Sequence, residues 1–141
     1  MVKERDYHNI TEMEMDMLRE AGNIASGNAM TSLSKLIDST LDMSVATVRI
    51  ENIQSLPEVL GDPEEVIAGL LINVFGDLNA MLLLAFETES AIGVVNRMLQ
   101  KEHTDLFEFD EMAHSALCET GNILAGTYLS SLSSFTGLSF D

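Results

Sequence analysis

The chain is poor in cysteine, proline and basic residues, and it has no tryptophan. Its single cysteine, Cys118, cannot form an internal disulfide, and no Cys and His residues stand at the spacings of a metal site. Seven lysines and arginines against 23 acidic residues give a net charge of −16. This balance argues against binding to nucleic acid or to an anionic membrane surface, and it suits a strongly solvated protein surface.

Long apolar runs are missing as well. The longest, Ala80 to Phe86, is far too short to cross a bilayer, and residues 1–10 lack the apolar core of a signal peptide. The apolar fraction of 46% is that of a globular protein, and 141 residues are enough to bury a core. We therefore expect a single cytoplasmic domain spanning residues 1–141.

What the chain does contain is a phrase written twice, EAGNIASG at residues 20–27 and ETGNILAG at residues 119–126, an offset of 99. Over residues 20–34 against 119–133, eight of fifteen positions are identical. These positions are Glu20/Glu119, Gly22/Gly121, Asn23/Asn122, Ile24/Ile123, Gly27/Gly126, Ser32/Ser131, Leu33/Leu132 and Ser34/Ser133. A long-period repeat predicts two related structural units. Packing explains the apolar identities, whereas the recurring Glu and Asn point to a function.

The hydrophobic pattern predicts an α+β fold of two layers. The expected elements are a long helix over 11–37, antiparallel strands over 43–51, 66–75 and 78–87, a helix over 88–100 and a long helix over 110–135. Local signals set their ends: a capping box of Thr11 and Glu14 begins the first helix, and Gly76-Asp77 is predicted to form a tight hairpin turn. Thr88 or Ser90 is expected to cap the helix over 88–100, and Gly137 follows the last helix.

The order of these elements indicates a pseudo-twofold repeat whose second unit is shortened. The first unit, about residues 11–100, has a long helix, three strands and a helix; the second, about residues 107–141, has only the repeated helix. The apolar side of that helix needs cover from the first unit's sheet, from a second copy in a homodimer, or from a longer protein of which this is a shortened form. The first unit is thus expected to support its copy of the phrase better.

Residues three and four apart share one face of a helix. One polar stripe therefore contains Asp16, Glu20, Asn23 and Gly27, and its equivalent contains Ser115, Glu119, Asn122 and Gly126. The apolar stripe of the first helix is predicted to contain Leu18, Gly22, Ala25, Ala29 and Leu33, with Met17, Ala21 and Ile24 beside it. Each polar stripe lies off the apolar one, so we expect it to face solvent or a partner.

The glycines of the phrase divide between the two faces. Gly22 and Gly121 lie on the apolar side, where close packing is the simpler explanation. Gly27 and Gly126 lie on the polar stripes, where a missing side chain leaves room for a partner. Glycine inside a helix costs about 0.8–1 kcal/mol relative to alanine, so each of the four is expected to have such a reason.

Three chemical interpretations of the Glu and Asn pair compete. One carboxylate and one amide per helix are too few ligands for a metal site. A self-sufficient hydrolase is disfavoured because no nucleophile stands beside a base: His8, His103 and His114 do not recur, and the repeated serines are simpler as helix residues. The third interpretation is a pair that completes a partner's active site, in which the amide orients a water and the carboxylate holds a cation.

The motif of Asp or Ser, three residues, Glu, two residues and Asn resembles that of the CheC/CheX/FliY family of chemotaxis phosphatases. It is met by Asp16, Glu20 and Asn23 and again by Ser115, Glu119 and Asn122. The resemblance extends over essentially the whole chain, although Ala46 replaces a proline that the family usually has. No chemical role is assigned to Asp16 or Ser115.

The resemblance implies hydrolysis of the aspartyl phosphate on the response regulator CheY. Glu20 and Glu119 would bind the regulator's active-site lysine, Asn23 and Asn122 would orient the attacking water, and the Mg²⁺ would belong to the regulator. The alternative is a non-catalytic module, either an adaptor for the receptor deamidase CheD or a structural relative in the flagellar switch. Binding of CheD is compatible with either function.

Overall fold

A computed structural model describes residues 10–39, 49 and 51–141. Within these ranges it contains, in chain order, α1 (Glu12–Ile37), a 3₁₀ turn (Ile53–Ser55), α2 (Leu56–Val59), β1 (Ile67–Val74), β2 (Ala80–Glu87), α3 (Thr88–Leu99), a 3₁₀ turn (Leu106–Glu108) and α4 (Glu111–Thr136). The α+β class is confirmed. Apart from Arg49 and Glu51, the strand predicted over 43–51 lies outside the described residues. None of the described helices is both long and apolar enough to cross a membrane.

α1 begins at its predicted capping box, and α4 ends at its predicted glycine. The Thr11 side chain accepts a hydrogen bond from the Glu14 amide at 3.2 Å, and the Glu14 carboxylate accepts one from the Thr11 amide at 2.9 Å. Asp110 caps α4 by accepting a hydrogen bond from the Ala113 amide at 2.9 Å. This bond lowers the pKa of Asp110, with partial opposition from desolvation and smaller help from the charges of His103 and Lys101. Gly137 ends α4 in the left-handed conformation, at φ 75°.

The predicted cap of α3 is wrong. Thr88 is already the first helical residue, Glu87 precedes it, and no side chain caps the helix. The Thr88 hydroxyl donates instead to the carbonyl of Val66, which ties the start of α3 to the start of β1. A contact with another part of the chain therefore replaces the expected local cap.

The antiparallel strands β1 and β2 form a two-stranded sheet with a regular alternation of faces. Ala68, Leu70 and Ile72 pair with Phe86, Leu84 and Leu82, and these side chains are all half-buried on the face toward the helices. The opposite face carries residues such as Leu71 and Met81, which are exposed. The period of two predicted for these strands is thus confirmed, and it sets which residues can meet the helices.

The predicted tight turn at Gly76-Asp77 is also wrong, because residues 75–79 form a longer loop between Val74 and its partner Ala80. This loop pairs with the end of the chain: Phe75 and Asp141 exchange two backbone hydrogen bonds of 2.8 Å, and the Asp77 amide donates to the Ser139 carbonyl at 2.9 Å. Gly76 has φ +121°, and a Cβ there would meet the Ser139 carbonyl. Glycine is needed for this close approach rather than for a two-residue turn.

Two groups of buried side chains join the helices to the sheet. The first contains Ala29, Leu33, Ile37, Val94 and Leu124. The second contains Ala91, Val95, Ala113, Ala116 and Leu117, packed against residues of β1, Phe86, Leu106 and Phe109. Both groups combine α3 and α4, and the first adds α1. The apolar side of α4 is therefore covered by α1, α3 and the sheet of the first unit, and this sheet was one of the three expected sources of cover.

The first half of α1 has much less cover than its sequence predicts. Leu18 and Met17 were expected on or beside the apolar stripe, but they are 44% and 56% exposed. Ile24 is 40% exposed. The buried residues of α1 begin only at Ala21. The expectation that the first copy of the phrase has the better support is thus wrong for the described part of the chain.

Candidate functional site

The site is built on two helices related by the repeat. α1 spans 12–37 and α4 spans 111–136, so both contain 26 residues and both bounds differ by 99. The capping residues Thr11 and Asp110 obey the same offset, as do the left-handed residues Asp38 and Gly137 that end the helices. The sequence repeat therefore corresponds to a repeat of structure.

Two hydrogen bonds between the helices show how they cross. Asn28 donates through Nδ2 to the Ser131 hydroxyl at 2.9 Å, and Thr127 donates through Oγ1 to the Ser32 hydroxyl at 3.1 Å. The two pairs are equivalent, because 28 and 32 become 127 and 131 on adding 99. The later residue of α1 pairs with the earlier residue of α4, so the two helices are antiparallel and cross about a pseudo-twofold axis. Sequence reasoning took these serines as plain helix residues, although Ser32/Ser131 was among the repeated identities.

The polar stripes lie on the outer side of this helix pair, as predicted. Glu20, Glu119 and Asn122 are exposed, and Asn23 is half-buried. In each copy the Glu precedes the Asn by three residues on a regular helix, so both side chains project from one face about one turn apart. The structure therefore brings Glu20 beside Asn23 and Glu119 beside Asn122.

The structure does not bring the two pairs together. The interhelical hydrogen bonds centre the crossing near residues 30 and 129, and each asparagine lies seven positions before that point. Because the helices are antiparallel, a rise of 1.5 Å per residue separates Asn23 from Asn122 by about 20 Å. The chain thus carries two separate candidate sites.

The first residue of each motif lies on the exposed surface of its helix. The Asp16 carboxylate forms an ion pair with Arg19 at 2.7 Å, and the two side chains are 73% and 51% exposed. Ion pairs this exposed contribute little to stability. Ser115 is exposed at the equivalent place on α4.

Gly121, Gly27 and Gly126 lie in the surroundings that their positions predict. A Cβ on Gly121 would lie 2.9 Å from Cδ1 of Leu70, so α4 packs closely against β1 at this point. Among the described residues, a Cβ on Gly27 or Gly126 would meet nothing within 4 Å. This part of the chain therefore leaves open space beside both stripes.

The surrounding titratable groups are occupied elsewhere or too sparse. Across residues 10–39, 49 and 51–141, no three His, Cys, Asp or Glu side chains are grouped so that they could hold a metal ion. His103 is held by Asn96, which accepts from its backbone amide at 2.9 Å and lies 2.8 Å from its Nδ1. The His103 ring also packs edge-on against Phe109 at 5.2 Å. His103 thus has a structural role at the start of α4.

Each of the two helices thus presents a Glu-x2-Asn pair on an open face. A model of the CheC-like family matches residues 13–47, and a model of the chemotaxis phosphatase CheX matches residues 68–141, just over half of the chain. The chain is also 30% identical over 134 residues to the CheY-P phosphatase CheC of Bacillus subtilis (strain 168). That alignment covers 94% of this chain and 64% of the relative.

This chain belongs to the CheC/CheX family of chemotaxis phosphatases, as the motif predicted. One copy of the motif falls within each matched range: Glu20 and Asn23 in the CheC-like match, Glu119 and Asn122 in the CheX match. The chain spans 64% of the length of the B. subtilis relative.

Proposed function

We propose that this chain hydrolyses the aspartyl phosphate of phosphorylated CheY at two sites, one on α1 and one on α4. The observation that carries the proposal is the repeated, outward-facing pair of Glu and Asn on helices related by a pseudo-twofold axis. The 30% identity of the chain to a CheY-P phosphatase supports the choice of phosphorylated CheY as the substrate.

In this mechanism the carboxylates bind the regulator and the carboxamides position the attacking water. Glu20 or Glu119 accepts hydrogen bonds from the ammonium group of the regulator's active-site lysine, a charge-assisted contact that fixes the regulator on the helix. One turn away, Asn23 or Asn122 holds a water between its oxygen and its NH₂ group, since an amide both accepts and donates. The exposure of Glu20, Glu119 and Asn122 suits a substrate that is itself a folded protein.

The chemical step needs alignment more than a strong base. The water oxygen attacks phosphorus, the bond between phosphorus and the aspartyl oxygen breaks, and the water's two protons leave on dihydrogen phosphate. The regulator recovers its carboxylate. Holding the water in line with the breaking bond supplies much of the acceleration available to a positioning residue. The Mg²⁺ of the reaction is assigned to the regulator.

The test is the rate of phosphate loss from phosphorylated CheY with and without the purified chain. Asn23→Ala combined with Asn122→Ala is expected to lower kcat by about 100-fold or more, the effect of removing a preorganised polar group from a reacting centre. Glu20→Ala combined with Glu119→Ala is expected mainly to raise KM. Because all four substitutions fall on exposed or half-buried positions, the thermal midpoint is expected to stay close to that of the parent.

A matched control separates the role of Glu20 and Glu119 from loss of charge. Glu64→Ala with Glu65→Ala removes the same two charges from the exposed loop before β1 and is expected to leave KM unchanged. Unchanged turnover in the double asparagine variant would contradict the roles assigned to Asn23 and Asn122. Binding of CheD by a chain that never accelerates phosphate loss would favour the adaptor alternative.

A further inference from the structure

The outer surface between α1 and α4 contains an open groove of about 540 Å³ beside the first site. Its α1 wall includes Ile24, Asn28 and Thr31, and its α4 wall includes Ser134 and Phe135. Ile24 follows Glu20 by four residues, which is one turn along the same side of the helix. The groove therefore begins where the Glu20 and Asn23 pair ends.

The floor and the edges of the groove differ in what they leave for a partner. The interhelical hydrogen bonds of Asn28 with Ser131 and of Ser32 with Thr127 satisfy its polar floor within the chain. Ile24 and Phe135 are large apolar side chains, and they remain 40% and 42% exposed. Exposed apolar groups beside a polar site are typical of surfaces that a partner covers.

The antiparallel crossing makes each site a product of both helices. The C-terminal end of α4, with Ser134 and Phe135, lines the groove together with Ile24, the residue that follows Asn23 on α1. By the offset of 99, the residues equivalent to Ser134 and Phe135 are Lys35 and Leu36, at the C-terminal end of α1. The pseudo-twofold relation therefore places Lys35 and Leu36 beside the pair on α4. Both are exposed.

The area of a protein interface requires contacts beyond the motif. A stable complex buries about 800 Å² on each partner, far more than one Glu and one Asn provide. A regulator docked on Glu20 and Asn23 must spread over a neighbouring surface, and the groove starts at Ile24, next to Asn23 in the chain, and carries exposed apolar groups. The occupant that fits is the regulator bound at the first site, through apolar side chains beside its phosphorylated aspartate.

We infer that Phe135 and Ser134 of α4 determine how the first site binds its response regulator, and that Lys35 and Leu36 of α1 do so for the second. This inference rests on the proposed function. We call Ser134 and Phe135 the border of the first site; they offer a hydroxyl and an aromatic ring. Lys35 and Leu36, the border of the second site, offer a cation and an aliphatic side chain. The two sites therefore bind the same phosphorylated regulator with different KM, and binding at the second weakens more in salt, because Lys35 places a cation near the anionic aspartyl phosphate.

The experiment isolates each site before changing its border. Asn122→Ala leaves the first site as the working one, and Asn23→Ala leaves the second. Adding Phe135→Ala is expected to raise KM for phosphorylated CheY about fivefold in the Asn122→Ala protein and to leave KM unchanged in the Asn23→Ala protein. Leu36→Ala, the matched change on the other helix, is expected to give the opposite pattern with a smaller rise.

A swap of the borders sharpens the result. Ser134→Lys with Phe135→Leu is expected to give the first site the KM and salt dependence of the second. Phe135→Leu alone, which keeps a large apolar side chain at this position, serves for comparison. Circular dichroism and the thermal midpoint identify any variant that fails to fold, in which case the conservative Phe135→Leu replaces it. Phe135→Ala changing KM equally in both backgrounds, or in neither, would overturn the inference. A parent chain without any turnover would overturn the proposed function itself, and the two failures are therefore distinguishable.

Discussion

The helices α1 and α4 share their length, their capping positions and their Glu-x2-Asn pair, yet they are covered very differently. Met17 and Leu18 of α1 are 56% and 44% exposed, whereas the equivalent Ala116 and Leu117 of α4 are 6% and 8% exposed. α3, Leu106 and Phe109 cover the first half of α4. Two helices of related sequence can therefore share their local structure and still pack against different neighbours. The second site is thus held by the more firmly packed helix.

The largest expected effect tests this contrast in cover. Leu117→Ala is expected to lower the free energy of unfolding by about 2–4 kcal/mol, because it leaves a cavity in a buried cluster. The equivalent Leu18→Ala is expected to lower it by less than about 1 kcal/mol, since that side chain already keeps much of its contact with water. Urea denaturation followed by circular dichroism measures both. Equal losses would show that α1 is covered as well as α4.

The glycines allow a smaller change at matched positions. Gly126→Ala and Gly27→Ala are expected to stabilise the fold by about 1 kcal/mol each, through helix propensity without a steric conflict. Gly121→Ala is expected to stabilise the fold by at least about 1 kcal/mol less than Gly126→Ala does, because its methyl group would press on Leu70. Thermal and urea unfolding compare the three proteins.

The same glycines separate stability from function. Gly27→Ala and Gly126→Ala place a methyl group on the face where we propose that the regulator docks, so they are expected to raise KM while stabilising the fold. Gly93→Ala is the control, since a Cβ on this α3 residue also meets nothing within 4 Å. It is expected to stabilise the fold and leave KM unchanged. A rise in KM with Gly93→Ala as well would remove the docking explanation.

Sequence patterns predicted what depends on neighbours along the chain. The long helices follow from apolar periodicity with Thr11 and Gly137 at their ends, and the outward Glu and Asn pairs follow from spacings of three and four. The loop at Gly76 was mispredicted because Ser139 and Asp141, far along the chain, decide its shape. The same limit applies to the candidate site. Which residues border each pair depends on where and in which direction the two helices cross, and no local pattern encodes that.

The separation of the sites predicts how their activities combine. With Asn23 and Asn122 about 20 Å apart, neither site can assist the other at one phosphorus atom. The rates of Asn23→Ala and Asn122→Ala measured singly with phosphorylated CheY are therefore expected to add up to the parent rate, each single variant losing about half if the sites turn over equally. A single variant that loses all activity would show that the sites act as one unit.

The smallest expected effect concerns the two helix caps, Thr11 on α1 and Asp110 on α4. The hydrogen bond from the Ala113 amide holds the pKa of Asp110 below its ordinary value. The stabilisation it gives is therefore complete above the unfolded pKa, near about 4, and is lost as the pH falls through the lower folded value. Asp110→Asn keeps a capping acceptor that does not titrate, so its stability relative to the parent is expected to stay constant above about pH 5 and to improve below about pH 4. Thr11→Asp is expected to bring the same acid-side dependence to α1, and urea denaturation between about pH 3 and 7 tests both. Parallel curves of stability against pH for the parent and Asp110→Asn would mean that the cap of α4 does not depend on its charge. The two caps would then not differ in their dependence on pH.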